Sequence, residues 1–271
     1  MVNEYKLAFL KHEIFVVITL GIVLAIVSTL FTRNISVINN FEHLPSAYQA
    51  GLIYGMNMLR ILYVIMIPII AALSYADSFF QEKRSGVYVY RLVRESKKRY
   101  FFTKAVVIFS LAFILTTFPL VLNQGFCLLA FDHEQHTNAQ MNTPYDDSFF
   151  MEEEISITYP RFAANEPLAA NLVYIALTGL YGSALALATY GLTLFYRRNR
   201  ASVLLAPLIV AFALELVSSF TIADISPVNA LSVKSYIPVN SVIPIIILIF
   251  TIIAISISAL LIRVRVKYDE T

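Results

Sequence analysis

The 271-residue chain is 58% hydrophobic and 14% charged, with a mean hydropathy of +0.71 and a net charge of +2. That balance lies well outside soluble-domain usage and excludes an ordinary water-soluble globule. A single cysteine, Cys127, excludes an intrachain disulfide.

The basic residues are unevenly placed. Sixteen of the twenty Lys and Arg fall in four short segments: 1–13 (Lys6, Lys11), 80–104 (Lys83, Arg84, Arg91, Arg94, Lys97, Lys98, Arg99, Lys104), 197–200 (Arg197, Arg198, Arg200) and 263–271 (Arg263, Arg265, Lys267). Other connections hold one each, Arg33, Arg161 and Lys234, and Arg60 lies inside an apolar run. Loops rich in Lys and Arg stay on the cytoplasmic side during insertion. The pattern predicts an all-α membrane protein of six spans, with both termini and two loops inside.

Residues 1–13 mix Val2, Tyr5, Leu7, Phe9 and Leu10 with Asn3, Glu4, Lys6 and Lys11. This suits a short helix in the cytoplasmic interface, or a plain extension of the first span. The predicted spans are about 14–32, 51–76, 101–131, 168–196, 201–221 and 241–262, each near the roughly 20 apolar residues a bilayer requires. The first run ends in Ser28-Thr29-Leu30-Phe31 without a small-x-small cleavage pattern, so it reads as a retained span. Pro68, Pro119, Pro207 and Pro244 fall within spans and predict kinks, whose freed backbone groups neighbouring helices must satisfy.

Between spans two and three, residues 77–100 form an inner loop. The second helix is expected to run on through Glu82, Lys83 and Arg84 and stop at Gly86. A short amphipathic segment follows, with Val89, Leu92 and Val93 apolar and Arg91 and Arg94 charged. By charge alone this is an anchor for two helices.

The outer segment 132–167 sets eight carboxylates against Arg161 alone, a balance of −7. It serves either as a solvated cap or as a field that gathers cations. His133 and His136 within it stand three apart, not the four of H-E-x-x-H, so no metal site is expected. In span four, Gly182 with Ala186 and Ala184 with Ala188 predict close helix approach. Glu215 in span five and Arg60 in span two are the charges well inside apolar runs, and each must face protein or water. Counted from residue 51, Arg60 is placed about 13 Å deep at 1.5 Å per residue, within side-chain reach of Glu215. An ion pair, separate snorkelling and a substrate-facing role are all open for them. Residues 221–240 are a loop or a re-entrant segment.

The order of features in 77–104 resembles the permeases of the type-2 ABC exporter superfamily, similar to ABCG-like half-transporters. Glu82, Arg84 and Gly86 match a Glu-basic-x-Gly pattern, residues 87–94 match the family's coupling helix, and Lys104 matches the lysine opening span three. The family's coupling segment often carries leucine pairs and a proline, where this chain has Tyr90-Arg91-Leu92-Val93. The resemblance implies ATPase coupling through Glu82, Arg84, Gly86, Val89, Arg91, Leu92, Val93 and Arg94, with spans two and five along the translocation path. It further implies a pair of permeases on a cytoplasmic ATP-binding subunit in a bacterial cell membrane, exporting an amphipathic peptide, lipid or drug. No G-x-x-x-x-G-K-[ST] occurs in the chain, so ATP-Mg is expected on the partner, and neither catalytic residues nor cofactor nor nucleic acid on this one. The competing class is a six-span secondary carrier or channel using Arg60 and Glu215 as a coupling pair.

Overall fold

A computed structural model describes residues 5, 11–38, 43–53, 58–94, 96–132, 136–137, 156–157, 166–195, 200–220, 226–231, 234–235 and most of 250–262. Apart from two pairs of two-residue strands, the described residues with regular structure are helical. In chain order the helices are α1 (His12–Ile38), α2 (Met58–Ala71), α3 (Ser78–Arg84), α4 (Val87–Arg94), α5 (Lys97–Ala130), α6 (Pro167–Phe195), α7 (Arg200–Phe220) and the single turn α8 (Pro227–Ala230). A π-helical turn, Ala72–Ala76, continues α2.

Among the described residues, five helices are long and apolar enough to cross a membrane: His12–Asn34, Met58–Ala76, Arg99–Ala130, Pro167–Leu194 and Ala201–Ser218. The chain is therefore a multi-pass membrane protein. Of the expected sixth span, 241–249 lie outside the described residues and helix is seen only within 250–262. The expected interfacial helix at 1–13 also lies largely outside them. Tyr5 is described and shares a 2.5 Å hydrogen bond with Ser110 of α5, while His12 and Glu13 already belong to α1.

The second span needs a correction. It was expected from residue 51, but Gly51, Leu52 and Ile53 form turns and α2 opens at Met58. Residues 45–53 instead tuck into the bundle, with Ser46, Ala47, Ala50, Leu52 and Ile53 buried. Their backbone finds partners in polar side chains of the spans. Asn123 accepts from the Leu52 amide at 2.5 Å, Gln124 donates to the Ala47 carbonyl at 3.2 Å, and Asn171 donates to the Tyr48 carbonyl at 3.1 Å. A buried irregular backbone survives only when satisfied in this way. The helix that carries the third span begins at Lys97, with the basic run Lys97 to Arg99 as its first turn, and the apolar span itself is Arg99–Ala130.

α5 forms the centre of the bundle, packed most extensively on α6 and then on α1. Close approach to α6 needs glycine: a Cβ at Gly182 would meet Thr116 Cγ2 at 2.5 Å, and one at Gly179 would meet Thr117 Cγ2 at 2.4 Å. Small residues on this helix were expected to pack closely, and Ala184 and Ala186 are buried too. Two antiparallel strand pairs join the connections, His43–Leu44 with His136–Thr137 and Ser156–Ile157 with Lys234–Ser235.

Candidate functional site: a charge hub at the basic end

The two faces of α4 meet different surroundings. Tyr88, Arg91 and Leu92, at helical spacing, turn inward, and Tyr88 and Leu92 pack on the core. The Tyr88 ring lies 5.2 Å from Phe79 of α3 and 5.7 Å from Tyr100 of α5, both edge-on. On the other side Val89, Tyr90 and Val93 are 63%, 76% and 83% exposed. The sequence grouped Val89, Leu92 and Val93 as one apolar face; the helix divides them, because positions 89 and 93 lie one turn apart and 92 points elsewhere.

Glu82, on α3, binds three groups. Its Oε1 lies 2.9 Å from Lys104 Nζ and 3.3 Å from an Arg91 guanidinium nitrogen, and its Oε2 accepts from the Tyr100 hydroxyl. One carboxylate thus joins α3, α4 and α5. Lys104 is fully buried and also donates to Ser78 at 3.2 Å, with its ammonium 5.2 Å and 5.5 Å from the ring centres of Tyr100 and Tyr75. Buried charge is tolerated only when paired and hydrogen-bonded in this manner.

A second ion pair adjoins the first. Lys11, just before α1, lies 2.9 Å from Asp77, which also accepts from Gln81 at 2.7 Å, and the Lys11 ammonium sits 4.8 Å from the centre of the Tyr75 ring. Tyr75 therefore holds a cation from α5 and another from the chain entering α1. It does so at φ 79°, a left-handed backbone that a non-glycine residue adopts at a penalty of about 1–3 kcal/mol. The break lets α3 leave the axis of α2.

Of the residues singled out from sequence, Glu82, Arg91 and Lys104 converge. Gly86 makes the turn between α3 and α4 at φ 75°, and a Cβ there would touch nothing within 4 Å, so its requirement is conformational. Arg84 is exposed and apart from the hub, and Arg94 closes α4. Sequence reasoning missed Asp77, Tyr75, Tyr88 and Tyr100. Aromatic residues beside a basic run were a signal, but their convergence depends on the break at Tyr75.

At the other end, Arg60 is the third described residue of α2. It is fully buried and donates to the backbone carbonyl of Leu231, while Glu215 of α7 accepts from Ser226 at 2.7 Å. Both residues thus meet the segment flanking α8. Among the described residues no group of three or more His, Cys, Asp or Glu converges as a metal site would need. In comparisons with known proteins, no family model, curated protein or solved structure matches this chain.

Proposed function

We propose that this chain is the transmembrane subunit of an ATP-driven ABC exporter in a bacterial cytoplasmic membrane. Two such permeases work above two ATPase subunits, which bind ATP-Mg, and α4 is the coupling helix on the cytoplasmic side. The cargo is amphipathic, a peptide, lipid or drug, and the acidic outer segment 132–167 favours a cationic peptide.

The observation that supports this reading is the two-sided build of α4. Its inner face is tied through Glu82 to α3 and α5, so a displacement of α4 is carried into two elements of the bundle. Its outer face offers Val89, Tyr90 and Val93 to something outside the chain. A plain membrane anchor has no need of a carboxylate shared among three helices. These 271 residues hold no phosphate-binding loop, so in this reading the motor lies outside them.

The test is co-purification of the tagged chain from its native membrane. An ATPase is expected in stoichiometric amount, with hydrolysis stimulated by the permease. Val89→Asp with Val93→Asp should weaken that association by about tenfold or more, since charges would enter an apolar contact, while leaving the fold intact. Transport that persists with no ATPase present would favour the secondary carrier instead.

A further inference from the structure

Tyr190 of α6 is fully buried, and its hydroxyl has no hydrogen-bond partner among the described residues. The buried Ser and Thr hydroxyls of this helix are satisfied locally. Thr178, Ser183, Thr189 and Thr193 each donate to a carbonyl of the helix three or four residues back. A tyrosine hydroxyl stands at the far end of its ring and cannot turn back in this way. Those of Tyr63 and Tyr100 reach acceptors on other helices, the Thr116 carbonyl and Glu82. The Tyr190 ring belongs to the same core as Phe79, Tyr100 and Phe101, and α3 packs on α6. Its hydroxyl lies within electrostatic range of Glu82 and Tyr88.

Glu82 supplies the matching acceptor. A carboxylate offers about four lone-pair positions on its two oxygens. Lys104 and Arg91 occupy Oε1, and the Tyr100 hydroxyl takes one position on Oε2. Oε2 therefore keeps a position to fill, in range of a hydroxyl with a proton to give. Buried groups in this relation are ordinarily joined by ordered water, which needs at least two polar partners. A route for water exists, because the Glu82 and Arg91 side chains are 13% and 24% exposed. We infer that the hub binds one ordered water, which accepts from the Tyr190 hydroxyl and donates to Oε2 of Glu82. The same carboxylate then holds α6 as well as α3, α4 and α5. Any part that Tyr190 plays in relaying movement of α4 rests on the exporter reading, whereas the water bridge does not.

The test uses the full-length protein in lipid nanodiscs. Tyr190→Phe removes the hydroxyl and keeps the ring, and should lower the thermal midpoint by about 2–4 °C. A hydroxyl buried with no partner gives the opposite sign, since its removal relieves a desolvation cost. Glu82→Ala with Lys104→Met takes away the acceptor without stranding the lysine. In that background Tyr190→Phe should no longer lower the midpoint. A second measurement reads the water directly. With isotope-labelled tyrosine, the NMR resonance that disappears in Tyr190→Phe should receive magnetisation from water in the parent protein. It should lose that transfer in Glu82→Ala with Lys104→Met. An unchanged or raised midpoint in Tyr190→Phe would overturn the bridge, as would an equal fall in both backgrounds or no transfer from water. Co-purification of an ATPase can fail while all of these results hold, and the reverse, so the two readings stand or fall apart.

Discussion

Lys104 reaches back from α5 to place its ammonium 2.9 Å from the Glu82 carboxylate on α3, and its side chain has no solvent exposure at all. Glu82 is thus the counter-charge of a buried cation, and also the contact point for Arg91 of α4. The joint between bundle and surface helix is consequently one whose failure is expensive.

Glu82→Ala should destabilise the protein by about 3–5 kcal/mol, because it strands Lys104 without its counter-charge. Glu82→Ala combined with Lys104→Met should recover much of that loss. Arg91→Ala, which removes a partly exposed partner, should have a far smaller effect. Unfolding can be followed with a thiol-reactive fluorophore, since Cys127 is the sole cysteine and is buried. An additive double variant would show that the pair does not interact.

Gly86→Val should cost about 1–2 kcal/mol, the penalty of a left-handed backbone for a side chain with a Cβ. Gly86→Asn should cost less, since asparagine tolerates that region better. Open space around the position means no steric term is added. If the exporter reading holds, Gly86→Val also uncouples ATP hydrolysis from transport. Thermal midpoints and ATPase-to-transport ratios of the two variants provide the measurement.

Gly182→Ala should destabilise the α5–α6 contact by about 1–3 kcal/mol through overpacking against Thr116. Thr116→Ala removes the methyl that the new Cβ would meet at 2.5 Å and should restore part of the loss. A double-mutant cycle on thermal stability reads the coupling. Independent effects would place the two helices further apart than described.

The distribution of positive charge predicts an orientation with residues 90 and 199 inside and 40 and 150 outside. With Cys127 replaced by serine, Tyr90→Cys and Asn199→Cys should resist an impermeant thiol reagent in intact cells. Asn40→Cys and Phe150→Cys should react at once. Labelling at 90 before permeabilisation would invert the topology and remove the docking argument with it.

Hydropathy made the five helices legible, because roughly 20 apolar residues in succession have few other uses. It misjudged the start of α2, since Gly51, Leu52 and Ile53 are apolar through burial in turns, not through helix. Hydropathy registers removal from water and is blind to backbone conformation. At the basic end, Glu82, Arg91 and Lys104 could be picked out singly. Their meeting at one carboxylate was not readable, because it depends on two backbone breaks, Tyr75 and Gly86, that fold α3 and α4 against α5. Only the glycine announced itself. For Arg60 and Glu215 the sequence marked both charges but offered no sign that Leu231 and Ser226 would receive them.

The tucked segment 45–53 sets an order on biosynthesis. The Leu52 amide and the Ala47 and Tyr48 carbonyls are satisfied by Asn123, Gln124 and Asn171, all translated long after them. At about 5–20 residues per second, roughly 6–24 s separate the synthesis of residue 53 from that of residue 171. Throughout that interval the nascent chain holds α1 and the tucked segment with its set of late partners incomplete. The first two spans therefore cannot mature as an independent hairpin. A ribosome stalled between them and α6 leaves an incompletely bonded loop at the membrane surface, open to insertase or protease. Slowing translation within α5 should lower the yield of mature protein more than slowing it after Asn171.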